Sequence, residues 1–294
     1  MRAWEISGEL NPILDVDDGI KASVRRRILT AASRREDRRP VLRRVFRPVR
    51  IFSWRAFSLA ATLVILVGLS FLFAPSAHTF RVPAGQTADN NFTLPDGSRV
   101  VLASGSVISF TDRFGEKERR LSLKGEAFFD VVENGAPFHV DTYNARTTVL
   151  GTQFSVRAWP TEIEPATIVH VLEGHVELQP RHFDSAPVGL LAGQAGAVTS
   201  ETGTTAEIET SDIETAFSWV TGGYAYRNEY VGNVLDDLNR RFNVGIEAPA
   251  SVRLLRISYF KKTAAPISEI LDEVSSTVGV RFRKIAGGFE LYTP

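Results

Sequence analysis

Few side chains in this sequence are of the types that carry chemistry, and their spacing excludes more than it offers. The five histidines, His78, His139, His170, His175 and His182, form no HExxH pair and have no acidic partner at a metal-ligand spacing. They are expected on strand surfaces or as satisfied core residues. Cysteine is absent, which removes disulfides, thiol catalysis, cysteine metal sites and a lipid-anchored cysteine. No G-x-S-x-G turn, P-loop or dinucleotide fingerprint occurs. In "GEAFFDV", Glu126 and Asp130 stand four positions apart on one strand, ~13 Å at about 3.3 Å per residue. That exceeds the roughly 5 to 9.5 Å between the carboxylates of a glycosidase. A multiple-turnover enzyme is therefore not expected, and neither is a cofactor or a bound metal.

The elements that hold these residues fall into four stretches. From Ala56 to Ala74 run nineteen residues without a charge, about 28 Å as a helix at 1.5 Å per residue, close to the hydrocarbon thickness of a bilayer. Trp54 and Arg55 lie at one edge and Pro75 at the other. A transmembrane helix over 56–74 is expected, in place of a buried core helix or a cleaved signal peptide, because it lacks a polar face and more than fifty residues precede it. Twelve arginines lie between Arg25 and Arg55 against only Glu36 and Asp37, whereas Arg81 is the single basic residue in the twenty positions after Ala74. The arginine-rich side belongs in the cytoplasm. The zero net charge conceals two unlike halves, fourteen basic and seven acidic residues up to Arg55, and twenty and twenty-seven beyond it.

Residues 1–55 are too few to bury a core unaided. Within "DDGIKASVRRRILTAASRRE", Ile20, Val24, Ile28 and Leu29 fall at helical spacing behind a possible N-cap, Asp17. This amphipathic helix can dock on a partner or lie on anionic lipid. The arginines lack interleaved aromatics, so direct nucleic-acid binding is not expected.

From residue 80 to 210 the pattern changes to short alternating segments broken by glycine, with Asp96-Gly97, Lys124-Gly125 and Glu173-Gly174 expected at turns. In "GEAFFDVV", Ala127, Phe129 and Val131 share one face, opposite Phe128 and Asp130. A mainly β body follows, either a layered sandwich or a β-solenoid. In order, "LPDGSRVVLASGS", "LSLKGEAFFDV", "PFHV", "VLGTQFSV" and "VLEGHVEL" resemble the periplasmic domain of FecR-type anti-sigma factors, single-pass inner-membrane regulators.

Beyond "FSWVTGGYAYRNEY", the segments "VLDDLNRRFNVGIE" and "ILDEVSSTVGVRFR" align without gaps thirty-six positions apart. Each reads as a helix running into a strand. Leu235, Leu238 and Phe242 of the first correspond to Leu271, Val274 and Val278 of the second, which predicts two helices laid on one shared sheet. Pro266 starts the second helix and Gly279 ends it. Residues 218–294 thus read as a small α+β domain, similar to the short domain of secretins and TonB-dependent transducers.

These resemblances imply a function and a set of residues. The head, through Ile20, Val24, Ile28 and Leu29, is expected to hold an extracytoplasmic-function sigma factor. The C-terminal domain is expected to meet the N-terminal signalling domain of an outer-membrane TonB-dependent transducer, through a strand edge at Ile257, Tyr259 and Phe260. The signal of such systems is customarily an iron chelate. The chain is then a bacterial inner-membrane protein with its N-terminus in the cytoplasm and its C-terminus in the periplasm. In some FecR-type proteins the Gly-Thr bond of a motif like "VLGTQFSV" breaks by an N-to-O acyl shift, and Gly151 and Thr152 match it. Glycine leaves its carbonyl unshielded, and the threonine hydroxyl is an internal nucleophile at high effective molarity; a glycine at a β-bulge is the competing reading. The competing function is a membrane-anchored structural or envelope-assembly protein that binds no sigma factor.

Overall fold

The computed structural model describes residues 64–65, 76–86, 90–116, 118–182, 185–201, 205–208 and 216–294. The N-terminal head lies outside them, and so does the apolar run 56–74 apart from Val64 and Ile65, which are helical. Among the described residues no helix is long and apolar enough to cross a membrane.

The β body contains β1 (Ala77–Arg81), β2 (Asn91–Thr93), β3 (Arg99–Leu102), β4 (Val107–Thr111), β5 (Arg119–Asp130), β6 (Phe138–Asp141), β7 (Ala145–Val149), β8 (Gln153–Ala158), β9 (Ala166–Glu173), β10 (His175–Pro180), β11 (Val188–Leu191), β12 (Ala195–Thr199) and β13 (Thr205–Ile208). They form one sheet folded on itself and nearly closed into a barrel, not a solenoid: neighbours are antiparallel throughout except β5 and β6.

The fold turns on β5. Its first half pairs with β4 and β6, and its second half with β3 and β8. Gly125, at φ 116°, stands where the partners change. A Cβ there would come within 2.4 Å of the Ser106 hydroxyl, so the crossing admits only glycine. The turn expected at Lys124-Gly125 is thus a bend inside a continuous strand, because both flanking runs are long enough to keep pairing through it. Gly174 likewise makes no hairpin. The chain there leaves β9, paired with β8 and β12, and enters β10, paired with β7 and β11.

The alternation seen in the sequence fills the interior. Leu121, Leu123, Ala127 and Phe129 of β5 are buried with Phe138, Phe154, Val171 and Leu178, and the rings of Phe129 and Phe154 stack at 5.1 Å between centroids.

After a 3-10 turn at Ser218–Thr221 come β14 (Tyr224–Tyr230), α1 (Val231–Phe242), β15 (Gly245–Glu247), α2 (Ala250–Arg253), β16 (Arg256–Lys261), α3 (Ile267–Thr277), β17 (Arg281–Ile285) and β18 (Gly288–Tyr292). Leu235 and Leu238 of α1 and Leu271 and Val274 of α3 are fully buried in a second core. Pro266 caps the start of α3, and Gly279 follows its end at φ 72°. The single shared sheet expected here is instead two small ones, β14-β16 and β15-β18-β17. Among the described strands three-residue β15 pairs with β18 alone, in parallel; α1 packs against β14 and β15, and α3 against β16 and β17, around one core.

Candidate functional site

Gly151 and Thr152 occupy the short link between β7 and β8, and the surrounding backbone fixes them closely. The Leu150 carbonyl accepts a hydrogen bond from the Arg119 guanidinium at 2.9 Å. The Thr152 carbonyl accepts one from the Val131 N–H at 3.1 Å. Thr152 is buried, and its hydroxyl donates to the His175 carbonyl at 2.9 Å. Two glycines allow this packing. A Cβ on Gly151 would meet the Glu133 Cβ at 2.6 Å, and one on Gly174 would lie 2.8 Å from both the Gly151 carbonyl oxygen and the Thr152 hydroxyl. The Gly151 carbonyl and the Thr152 hydroxyl thus face one shared small space. Among the described residues neither imidazole nor carboxylate hydrogen-bonds to the hydroxyl, so none of them is placed as a general base.

Arg119, which the sequence reading passed over, is the fastener of this region. It is fully buried, and its five N–H groups reach the carbonyls of Val132 (2.6 Å), Leu150 (2.9 Å) and Ala136, and the Asp96 carboxylate at 3.1 Å. A signal was present: Arg119 stands two and four positions before Leu121 and Leu123, on the inward side of the same strand.

The histidines are dispersed. His78 packs on Phe110 and His170 on Phe217, His139 shares a hydrogen bond with the Thr148 hydroxyl at 3.0 Å, and His182 reaches the Tyr143 carbonyl. Among the described residues no group of three His, Asp or Glu side chains could hold a metal. Asp130 pairs with Arg99 at 2.5 Å, while Glu126 lies under the C-terminal domain, so these two carboxylates do not converge.

Of the strand residues put forward for receptor contact, Ile257 is 3% exposed and belongs to the domain core. Tyr259 stacks on Tyr226 and donates to Glu273 at 2.6 Å. Their side chains face inward because they alternate with Arg256, Ser258 and Phe260, and Phe260 alone of the three presents its ring to solvent, 47% exposed. Among the described strands β16 has one partner, β14, which leaves its other edge unpaired. Ile20, Val24, Ile28 and Leu29 lie outside the described residues.

A second constellation joins the body to the C-terminal domain. Arg157 at the end of β8 pairs with Glu162 and approaches Glu126 at 3.9 Å. Across the seam Asp237 of α1 receives Arg241 at 2.8 Å and the Tyr226 hydroxyl, with Arg240 at 3.5 Å. The Arg240 guanidinium lies 3.9 Å above the Trp159 ring, and the Asn233 amide exchanges two hydrogen bonds with the Ile163 backbone, at 2.7 and 3.1 Å. Burial pushes the Glu126 carboxyl above its ordinary value, more than Arg157 pulls it down. Burial acts the same way on Asp237, but Arg241, Arg240 and Arg157 outweigh it and hold that carboxyl low. Partners more than sixty residues apart left no local pattern by which to recognise this seam in advance.

The body and its glycine pattern define a class. The FecR protein family matches residues 80–177, so the chain carries a FecR domain over that stretch of the β body. Two crystal structures, each described as "a putative anti-sigma factor from Parabacteroides distasonis ATCC 8503", are similar to it beyond that domain. Both are 27% identical with a TM-score of 0.67 and cover 74% of this chain; the match spans 100% of one of those chains and 99% of the other. No curated protein matches the chain.

Proposed function

We propose that this chain is a single-pass anti-sigma factor: its head holds an extracytoplasmic-function sigma factor at the inner membrane, and its outer domains receive a signal from an outer-membrane TonB-dependent receptor. One observation carries the regulatory reading. The likeness to the structures described as putative anti-sigma factors covers 74% of this chain at 27% identity, well beyond the FecR match at 80–177. The charge asymmetry about residues 56–74 supports the orientation, and the unpaired β16 edge with exposed Phe260 supports strand addition by the receptor. At Gly151-Thr152 the reaction is a single acyl shift. The Thr152 hydroxyl oxygen bonds to the Gly151 carbonyl carbon, the C–N bond breaks, the amine takes the hydroxyl proton, and water then hydrolyses the ester.

The test is co-purification of the tagged full-length chain from its native cells, against a variant with Ile20, Val24, Ile28 and Leu29 changed to Ser. Recovery of a sigma factor with the native chain alone supports the proposal. Recovery with neither, while the protein remains membrane-bound, refutes sigma binding and favours an anchored structural protein.

A further inference from the structure

Glu164 occupies an unusual position in the loop that leads from β8 to β9. It is a non-glycine residue at φ 52°, a left-handed backbone that ordinarily disfavours a side chain. Its carboxylate is spread across two groups of the C-terminal domain. One oxygen accepts from the Tyr230 hydroxyl at 2.7 Å, and the other from Arg256 at 3.0 Å. The Arg256 guanidinium is itself stacked 3.6 Å from the Tyr230 ring centre, so the cation and the phenol form one prepared acceptor for a carboxylate. The contact is not sealed: the Glu164 side chain is 65% exposed and that of Arg256 40%. Arg256 opens β16, the strand with an unpaired edge, and Phe260 lies four residues on along its outward face, about 13 Å away in an extended chain.

We infer that Arg256 and Tyr230 form a carboxylate-binding subsite of the C-terminal domain, held in the resting protein by Glu164, and that the partner strand added at β16 brings an acidic residue that displaces it. This rests on the proposed docking at β16 and adds the chemistry of the occupant: an extended segment with a carboxylate opposite Arg256 and an apolar residue four positions away, opposite Phe260. Displacing Glu164 removes one tie between this loop and the C-terminal domain, while the Asn233 amide still holds the Ile163 backbone. A tethered carboxylate competes at roughly millimolar effective concentration, so the resting contact is a threshold that a weak acidic segment does not pass.

The test uses the full chain in a non-ionic detergent and a fluorescein-labelled peptide, Leu-Thr-Thr-Thr-Glu-Thr-Thr-Thr-Leu, whose leucines flank the glutamate on both sides so that strand direction is immaterial. Its control carries Gln for Glu. Glu164→Gly removes the competitor while giving the left-handed position the residue that suits it, so the fold is retained; Glu164→Gln, which keeps the side-chain length, is measured beside it. Both are expected to bind the acidic peptide about tenfold more tightly than the native chain, a charge-assisted hydrogen bond's worth. The gain is expected to vanish with the control peptide and when Arg256→Ala is added. Equal affinity in native and variant chains, no binding to any of them, or a gain that survives Arg256→Ala would overturn the inference. Because no receptor enters the assay, failure of receptor docking is read separately.

Discussion

The Arg119 guanidinium donates to the carbonyl of Leu150 at 2.9 Å, one residue before Gly151, while another of its nitrogens holds Asp96 at 3.1 Å. A fully buried arginine thus ties the β2–β3 turn, the 132–136 loop and the Gly-Thr link together. Removing it leaves a buried carboxylate, Asp96, without its counter-ion and three carbonyls without donors. Arg119→Met is expected to cost about 3–5 kcal/mol in denaturant unfolding. A loss under about 1 kcal/mol would mean that water reaches the site and replaces the guanidinium.

The acyl shift proposed at Gly151-Thr152 makes a separate demand on chemistry. Thr152→Ala removes the nucleophile and is expected to leave only full-length protein on a gel, whereas Thr152→Ser keeps the hydroxyl and the fragments. Gly151→Ala drives a methyl to within 2.6 Å of Glu133, and is expected to shift the link and slow cleavage even though the hydroxyl remains. An unchanged fragment pattern in Thr152→Ala would assign the fragments to a protease.

How legible these features were depended on the distance over which they are determined. The strand alternation of "RRLSLKGEAFFDVV" shows locally which residues face inward, and Leu121, Leu123, Ala127 and Phe129 are buried as that alternation requires. The helical stripe of Leu235 and Leu238 is local in the same way. Gly125 was misread because a glycine's positive φ is compatible with a turn or a bend, and only the pairing of both flanks, to β4 and β3, decides between them. The two sheets of the C-terminal domain depend on which strand lies beside β15, a matter of tertiary packing. The seam residues Arg157, Glu162, Asp237 and Arg240 look like ordinary surface charges in sequence, since their burial comes from the docking of two separate cores.

That seam carries a pH signature. Burial raises the Glu126 and Glu162 carboxyls above their ordinary value of 4.5. The folded state therefore binds these protons more tightly than the unfolded state. The stabilisation is full below about pH 4.5 and is lost as pH rises through the raised folded values. Asp237 runs the other way, its stabilisation present above its ordinary value and lost only in stronger acid. Glu126→Gln, which keeps shape and removes the charge, is expected to flatten the decline in melting temperature from about pH 5 towards neutrality and to melt above the native protein on the neutral side. A variant curve parallel to the native one would show that Glu126 is ionised throughout.

Strand β16 separates a structural role from the proposed contact role within four residues. Ile257→Ala opens a cavity in a core position that is 3% exposed, and a loss of about 2–4 kcal/mol is expected. Phe260→Asp changes a side chain that is 47% exposed and outside the domain core, so the melting temperature is expected to move by less than about 2 °C. If the proposed receptor docks on this edge, binding of its signalling domain is expected to fall at least about tenfold, because the aspartate replaces apolar contact with an unpaired charge. The measurement is titration calorimetry of both variants beside the native chain. Weakened binding in Ile257→Ala in proportion to its unfolded fraction, with Phe260→Asp unaffected, would move the docking surface away from this edge and leave β16 a structural strand.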